Sequence, residues 1–260
     1  MINFESIENN LEKYAQEFKQ AEPFPLVIID NFADAKKLSK VLASFPIPGE
    51  DKLNKSRDYI FAKNKYEKAN FRDLSDECNE LYNDLISQRL QKIIQKITEQ
   101  EVFVDQEFHG GGIHQGGKGS FLDMHVDFNY HPLHRNWFRN LNVLLYLNQD
   151  WQPEYGGQLK LRHTETDKYR EVEPLFNRCV IMFTRDYTLH GYDPIDFPSG
   201  QFRRSIASYA YSLDKNPQSE RSTLWVPEQS SFVKKMIGKY WPEIIKAKSS
   251  VFGSGTARNK

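Results

Sequence analysis

The sequence predicts an α+β chain that is helical at its start and mainly β from its middle onward. Two observations carry this. Over the first hundred residues apolar side chains recur at helical spacing, and from Val102 short apolar runs alternate with clusters of Gly, Pro, Asn and Asp. Many short strands with regular turn signals make a sandwich or a jelly roll. A chain of 260 residues is long enough for one domain with a sizeable core. We divide it into an N-terminal strand and helical region, 1–100, that packs on a β core, 101–215, and a C-terminal helical extension, 216–260.

Each element has its own signal. Pro23-Phe24-Pro25 opens the apolar run Leu26-Val27-Ile28-Ile29, which suits a strand. Asp34 is placed as a helix N-cap, with Leu38, Val41, Leu42 and Phe45 at helical spacing until Pro46 stops the pattern. The polar stretch from Gly49 to Asn70 reads as a loop. A single helix is expected from about Ser75 to about Glu99, with Leu81, Leu85, Leu90, Ile93, Ile94 and Ile97 on its apolar face. Leu141 to Leu147 is a nearly continuous apolar run, as in a strand buried on both faces. Gln158 to Leu161 alternates polar and apolar, and Arg178 to Phe183 and Arg203 to Tyr211 are two further strands. After Asp214, Phe232, Val233, Met236 and Ile237 fit one side of a helix that ends near Tyr240 and Trp241. Frayed chain is expected from Gly253 onward.

Composition excludes some functions. With 35 basic and 35 acidic residues the chain has no electrostatic footprint for nucleic acid or an anionic membrane. Cys78 and Cys179 stand far apart among apolar neighbours, as buried reduced thiols do. The polar N-terminus lacks the apolar stretch of a secretory signal, and no apolar run nears the roughly 18 residues that span a bilayer. A soluble, cytoplasmic protein without nucleic-acid or membrane partners is expected; its oligomeric state is not legible.

Among seven histidines, His125 is the informative one, in Met124-His125-Val126-Asp127. On a strand, residues i and i+2 point to one face, so His125 and Asp127 present an imidazole and a carboxylate to a single point. With one distant histidine they make a facial triad suited to Fe(II), which leaves adjacent positions open. His163-Thr164-Glu165 has a related form, but it runs into a charged turn. The third ligand is assigned to His190, which follows the strand Cys179 to Phe183 and precedes Gly191, a residue that permits close approach. By strand parity Arg203, Ser205 and Ala207 share a face and Arg204 lies opposite. Arg203 is assigned to the pocket, where its fork and the Ser205 hydroxyl suit the distal carboxylate of a dicarboxylic co-substrate.

The order HxD, distal His, Arg-x-Ser resembles the Fe(II)/2-oxoglutarate-dependent dioxygenases. The stretch Leu145-Tyr146-Leu147-Asn148, Asp150-Trp151 and Gly156-Gly157-Gln158-Leu159 is similar to the prolyl-4-hydroxylase branch. So are Pro174 to Arg178, His190-Gly191 and Arg203 to Tyr209. The resemblance covers about Gly111 to Tyr211, and less specifically Pro23 to Phe32. It implies a double-stranded β-helix core flanked by helices, with Fe(II), 2-oxoglutarate and O2, and ascorbate as accessory reductant. It implies hydroxylation of an unactivated C–H bond of a prolyl, peptidyl or small-molecule substrate, with 2-oxoglutarate decarboxylated to succinate. The intact Asp127 argues against halogenation, since related halogenases carry Ala or Gly there. Tyr146 occupies a position whose hydroxyl touches the 2-oxoglutarate carboxylate, or else is a core tyrosine. His114 is placed on the strand before HxD, and Asn142 in the pocket or behind the ligands. Phe128, Tyr130 and Trp137 are expected in a lid over the pocket, and the loop His131 to Arg135 either selects substrate or is a solvated connection.

Two other classes use the same residues. A non-catalytic jelly-roll binding module would usually have lost a ligand or the arginine, and here all stand. A zinc hydrolase with two His and one carboxylate is chemically reasonable but leaves Arg203-x-Ser205 unexplained.

Overall fold

The computed structural model describes residues 1–48, 54, 55, 58, 60–228 and 231–245, with the backbone alone at 54 and 55. The chain opens with helices α1 (Phe4–Glu8) and α2 (Leu11–Gln20), strand β1 (Leu26–Asp30) and helix α3 (Ala35–Ala43). Asp34 caps α3 by accepting from the Lys37 amide. A hairpin of β2 (Asn54–Lys55) and β3 (Ala62–Lys68) follows, then α4 (Asp76–Leu85) and α5 (Gln88–Thr98). The β core comprises β4 (Phe103–Val104), β5 (Gly112–Val126), β6 (Tyr130–His131), β7 (His134–Tyr146), β8 (Leu159–His163), β9 (Tyr169–Val172), β10 (Arg178–Phe183), β11 (Thr188–Tyr192) and β12 (Arg203–Leu213). A short strand β13 (Leu224–Trp225) and helix α6 (Phe232–Lys239) follow, and residues 241–245 are helical as well.

The strands pair antiparallel along the path β1-β10-β7-β12-β5-β11-β8-β9. Strand β5 makes this a double-stranded β-helix. Its first part, Gly112 to Gly116, pairs with β12, and its last part, Leu122 to His125, pairs with β11. One strand therefore passes between two halves of a curled, mostly antiparallel sheet, and the halves enclose a cavity between them.

The central strands are buried on both faces, as the apolar run 141–147 predicts. Leu141, Val143 and Leu145 join Cys179, Ile181 and Ile206 in a core shared with Leu38, Leu81 and Ile94 from the helices. Tyr146, Val180 and Met182 point the other way and pack with Leu159 and Leu161. The helices thus seal the outer face of β10, β7 and β12, and the alternate residues are left to line the cavity. Cys78 and Cys179 are buried free thiols. No helix among the described residues is long and apolar enough to cross a membrane.

Three expectations change. The helix from Ser75 to Glu99 is two helices, because Ser87 leaves helical geometry and its hydroxyl accepts from the Leu90 amide to start α5. Within the stretch read as a loop, Ala62 to Lys68 is strand β3, paired with β5. Its side chains are mostly half-buried and polar, so no two-residue alternation marks it. Residues 49–53, 56, 57 and 59 lie outside the described residues, as does the tail from Gly253. Finally, helix α6 forms where Phe232 to Ile237 predicts it, but Phe232 and Val233 are exposed while Met236 and Ile237 are half-buried.

Candidate metal centre and co-substrate cavity

His125 and His190 face each other as direct partners on β5 and β11, with ring centroids 4.2 Å apart. Such close strand approach requires Gly191, where a Cβ would lie 2.5 Å from the Leu122 carbonyl oxygen. Asp127, the first residue beyond β5, joins them. Its Oδ1 lies 3.5 Å from His125 Nε2 and its Oδ2 3.3 Å from His190 Nε2. One ligand atom from each residue falls within 4.8 Å of the others, and all three residues are buried.

Charge and hydrogen bonding prepare these groups for a metal. Asp123 O can only accept, so the His125 Nδ1 at 2.9 Å carries the proton and the Nε2 lone pair is free to ligate. Burial, and then the neighbouring His190, push the His125 pKa down, which keeps the ring neutral. Burial opposes ionisation of Asp127, but Arg139 and the two histidines outweigh it and hold its carboxyl well below the usual range. Arg139 Nη2 and Asn142 Nδ2 each lie 2.9 Å from Asp127 Oδ2, and Arg139 also donates to Asn142 Oδ1. Arg139 is itself sandwiched, its guanidinium 3.5 Å from the Tyr209 ring centre and 4.5 Å from that of Phe128. Two imidazoles and one ionised carboxylate on one side of a cavity are a fitting donor set for Fe(II).

The cavity, of about 220 Å³, has the three clustered residues in one wall. Around Arg203 its lining includes Leu144, Tyr146, Leu159, Tyr192 and Ser205. Arg203 is aimed: its Nε donates to the Gly157 carbonyl at 2.7 Å, its guanidinium lies over Tyr192, and its Nη2 is 3.5 Å from the Tyr146 hydroxyl. Gly157, at φ +83°, makes room for it, since a Cβ there would sit 2.9 Å from Arg203 Cδ. Burial raises the Tyr146 pKa against the opposing pull of Arg203, so the phenol stays protonated and able to donate. Arg204 lies on the other face, where its Nε donates to Gln115 Oε1.

The other expected residues divide. Asn142 lines the cavity, and its amide is engaged by Asp127 and Arg139. His114 also lines it, but on β5 itself, not on a separate strand before HxD. Burial, then Lys65, push its pKa down to about 3. Phe128 is in the lining, whereas Tyr130 turns away to donate to Asp214 Oδ2 at 2.6 Å. Trp137 is not a lid residue. It stacks on His134 at 4.0 Å and meets Phe103 at 4.8 Å and Tyr211 at 5.9 Å, outside the cavity lining. The loop at His131 to Arg135 is the β6–β7 hairpin, with His131 buried beside Asp105 and none of these residues in the lining. His163 of the related HxE sequence stacks on Tyr187 and belongs to no three-residue ligand cluster among the described residues.

Sequence reasoning missed Arg139, Lys65, Thr223 and Trp225, all of which line the cavity. Arg139 was hidden by a bulge. Counting back by twos from Asn142 points Asn140 inward, but the pairing of β7 with β12 slips between Ala210 and Tyr211 and turns Arg139 in instead. Lys65 sits on the unrecognised strand β3, and Trp225 on the two-residue strand β13, too short for any pattern.

A curled sheet of the double-stranded β-helix class thus brings a cluster of two histidines and a carboxylate and a buried arginine to one cavity. Residues 111–211 match the family model of the 2OG-Fe(II) oxygenase superfamily. The matched segment runs from the start of β5 into β12 and so spans most of the β core. Among solved structures the chain is similar to a prolyl-4-hydroxylase of Pseudomonas putida, at 18% identity and TM-score 0.54, covering 78% of this chain and 98% of that one. It is also similar to a prolyl hydroxylase of Trichoplax adhaerens, solved with a hypoxia inducible factor oxygen degradation domain peptide fragment. The values there are 16%, TM-score 0.59, 80% and 91%. A non-heme alpha ketoglutarate dependent epimerase from nogalamycin biosynthesis, SnoN, shares the fold at 11% identity and TM-score 0.51, with 87% and 89% covered. No curated protein sequence matches the chain significantly.

Proposed function

We propose that the chain is an Fe(II)- and 2-oxoglutarate-dependent dioxygenase that hydroxylates an unactivated C–H bond of a prolyl, peptidyl or small-molecule substrate. The observation that carries this is one cavity holding both the His125, Asp127 and His190 cluster and the buried, aimed Arg203. In this reading the three clustered residues ligate the iron. When bound, iron with 2-oxoglutarate and O2 supplies the oxidising power: one oxygen atom goes to the substrate, the other to succinate, and CO2 leaves.

The chain's own residues bind and orient. Arg203 clasps the distal carboxylate of 2-oxoglutarate, Ser205 and Tyr146 donate hydroxyls to it, and Leu144 and Leu159 cover its methylenes. Arg139 and Asn142 fix the Asp127 carboxylate, so its oxygen is set before the metal arrives. Phe128, Tyr209, His114 and Lys65 shape the part of the cavity left for the primary substrate. The fold shared with an epimerase leaves the reaction to be decided by this site and not by the sheet. An HxD carboxylate supports hydroxylation, and the Trichoplax enzyme bound to its peptide supports a peptidyl substrate by analogy.

The test is the visible spectrum of the protein with Fe(II) and 2-oxoglutarate under anaerobic conditions, beside His125→Ala. A weak metal-to-ligand charge-transfer band in the native protein, lost in the variant, is expected. Succinate release then ranks candidate substrates, with and without ascorbate. Bound iron without that band would leave the zinc-hydrolase or binding-module reading in its place.

A further inference from the structure

The family match stops at residue 211, yet the chain beyond it returns to the strand that bears the ligands. Strand β13 pairs with the end of β5, Trp225 opposite His125 and Leu224 opposite Val126, and the Val226 amide donates to Met124 O. Here β11 lies on one side of β5 and β13 covers the other, so the ligand-bearing end is not a bare edge. The Trp225 indole lies over the His125 ring, with centroids 4.8 Å apart, and is backed by Phe61, stacked at 5.0 Å. Arg221 makes a second tie. Its Nη2 donates to the Asp127 backbone carbonyl at 2.9 Å and to Asp186 Oδ1 at 2.8 Å. Asp186 lies in the turn that leads into β11 and His190. From α6, Lys234 reaches the Asp123 carboxylate at 2.6 Å, and the Asp123 carbonyl holds His125 Nδ1.

We propose that the strap 221–226 is a working part of the metal centre, with Arg221 and Trp225 as positioning residues for the ligands. This rests on reading His125, Asp127 and His190 as a metal site. Arg221 joins the segment carrying Asp127 to the segment carrying His190, so it fixes the spacing of ligands from two strands. Trp225 closes one side of the His125 ring and restricts its rotation about χ2. Both act by preorganisation: ligand groups held in place lose less freedom when the metal binds. Neither residue touches the metal in this account.

The experiment is a Co(II) titration of the full chain, followed by visible absorption and by tryptophan emission, on the native protein, His125→Ala, Arg221→Met, Arg221→Lys, Trp225→Leu and Trp225→Phe. Melting of each metal-free protein is recorded beside it. Arg221→Met and Trp225→Leu are expected to bind Co(II) about 10- to 100-fold more weakly, the loss typical of groups that orient ligands. Arg221→Lys and Trp225→Phe should recover part of it. Paramagnetic Co(II) should quench native emission, and Trp225→Phe should lose most of that quenching. Folded Arg221→Met and Trp225→Leu with native Co(II) affinity would overturn the proposal. Should those two fail to fold, unchanged quenching in Trp225→Phe would overturn it instead. A native protein that binds Co(II) no better than His125→Ala takes down the metal-site reading itself, a different outcome from native binding with unimpaired variants.

Discussion

Arg203 and Arg204 are neighbours in sequence and lie on opposite faces of β12. Arg203 reaches the cavity and Gly157, and Arg204 reaches Gln115. Arg203→Ala should raise the 2-oxoglutarate concentration needed for half-maximal succinate release by at least about tenfold, as loss of a charge-assisted pair costs roughly 1.5–3 kcal/mol. Arg204→Ala should shift it little. Arg139 is the residue the sequence concealed. It neutralises a buried carboxylate, and removing one partner of a buried pair costs about 3–5 kcal/mol. Metal-free Arg139→Met should therefore melt well below the native protein. A divalent ion, bringing its own positive charge to Asp127, should restore more stability to Arg139→Met than it adds to the native protein. Equal increments in the two would show that Asp127 does not share its charge between guanidinium and metal. At this scale the HxD spacing and the Arg203 parity were legible because local backbone geometry fixes them; Arg139 was not, because the bulge beside it on β7 turned it inward.

At the scale of elements, capping and pairing overrode simple periodicity. The apolar face from Leu81 to Ile97 is continuous in sequence, yet Ser87 ends one helix and begins the next. Ser87→Ala should cost about 1 kcal/mol in a urea melt, the usual value of an N-cap. Strand β5 carries both His114 and His125 and is bound to β3, β11, β12 and β13 in turn. His114 on it is held neutral, with its pKa down at about 3, whereas the unfolded chain takes up a proton near 6.5. Below 6.5 the unfolded state binds the extra proton, so stability is complete above about 6.5 and falls as the pH drops toward 3. Replacing His114 with Gln should flatten part of that slope in melts of the metal-free protein. An unchanged slope would mean that the His114 ring is protonated in the fold. The strand β3 was unreadable because a polar, half-buried strand leaves its evidence in backbone hydrogen bonds and not in side-chain type.

For the whole molecule, helices α2 to α5 cover one face of the sheet, and the two halves of the sheet enclose the site. Trp137 shows how this arrangement reassigns a residue. Its neighbours in sequence placed it over the pocket, but Phe103, His134 and Tyr211 gather it into a separate aromatic cluster. Trp137→Ala should lower stability, by about 3 kcal/mol if the cluster does not close up. It should leave the charge-transfer band and the 2-oxoglutarate requirement unchanged; a changed requirement would return Trp137 to the pocket.

By itself the sequence singled out residues that meet in the cavity of the β core, HxD, a later histidine and Arg-x-Ser, and showed that this core follows a helical region. It could do so because two-residue and 3.6-residue periods are local properties of the backbone. The tertiary structure decided what surrounds those residues. Arg139, Lys65 and Trp225 come to one cavity through a bulge, a polar strand and a returning C-terminal strap. Each depends on contacts between segments far apart in the chain, where no local pattern reaches.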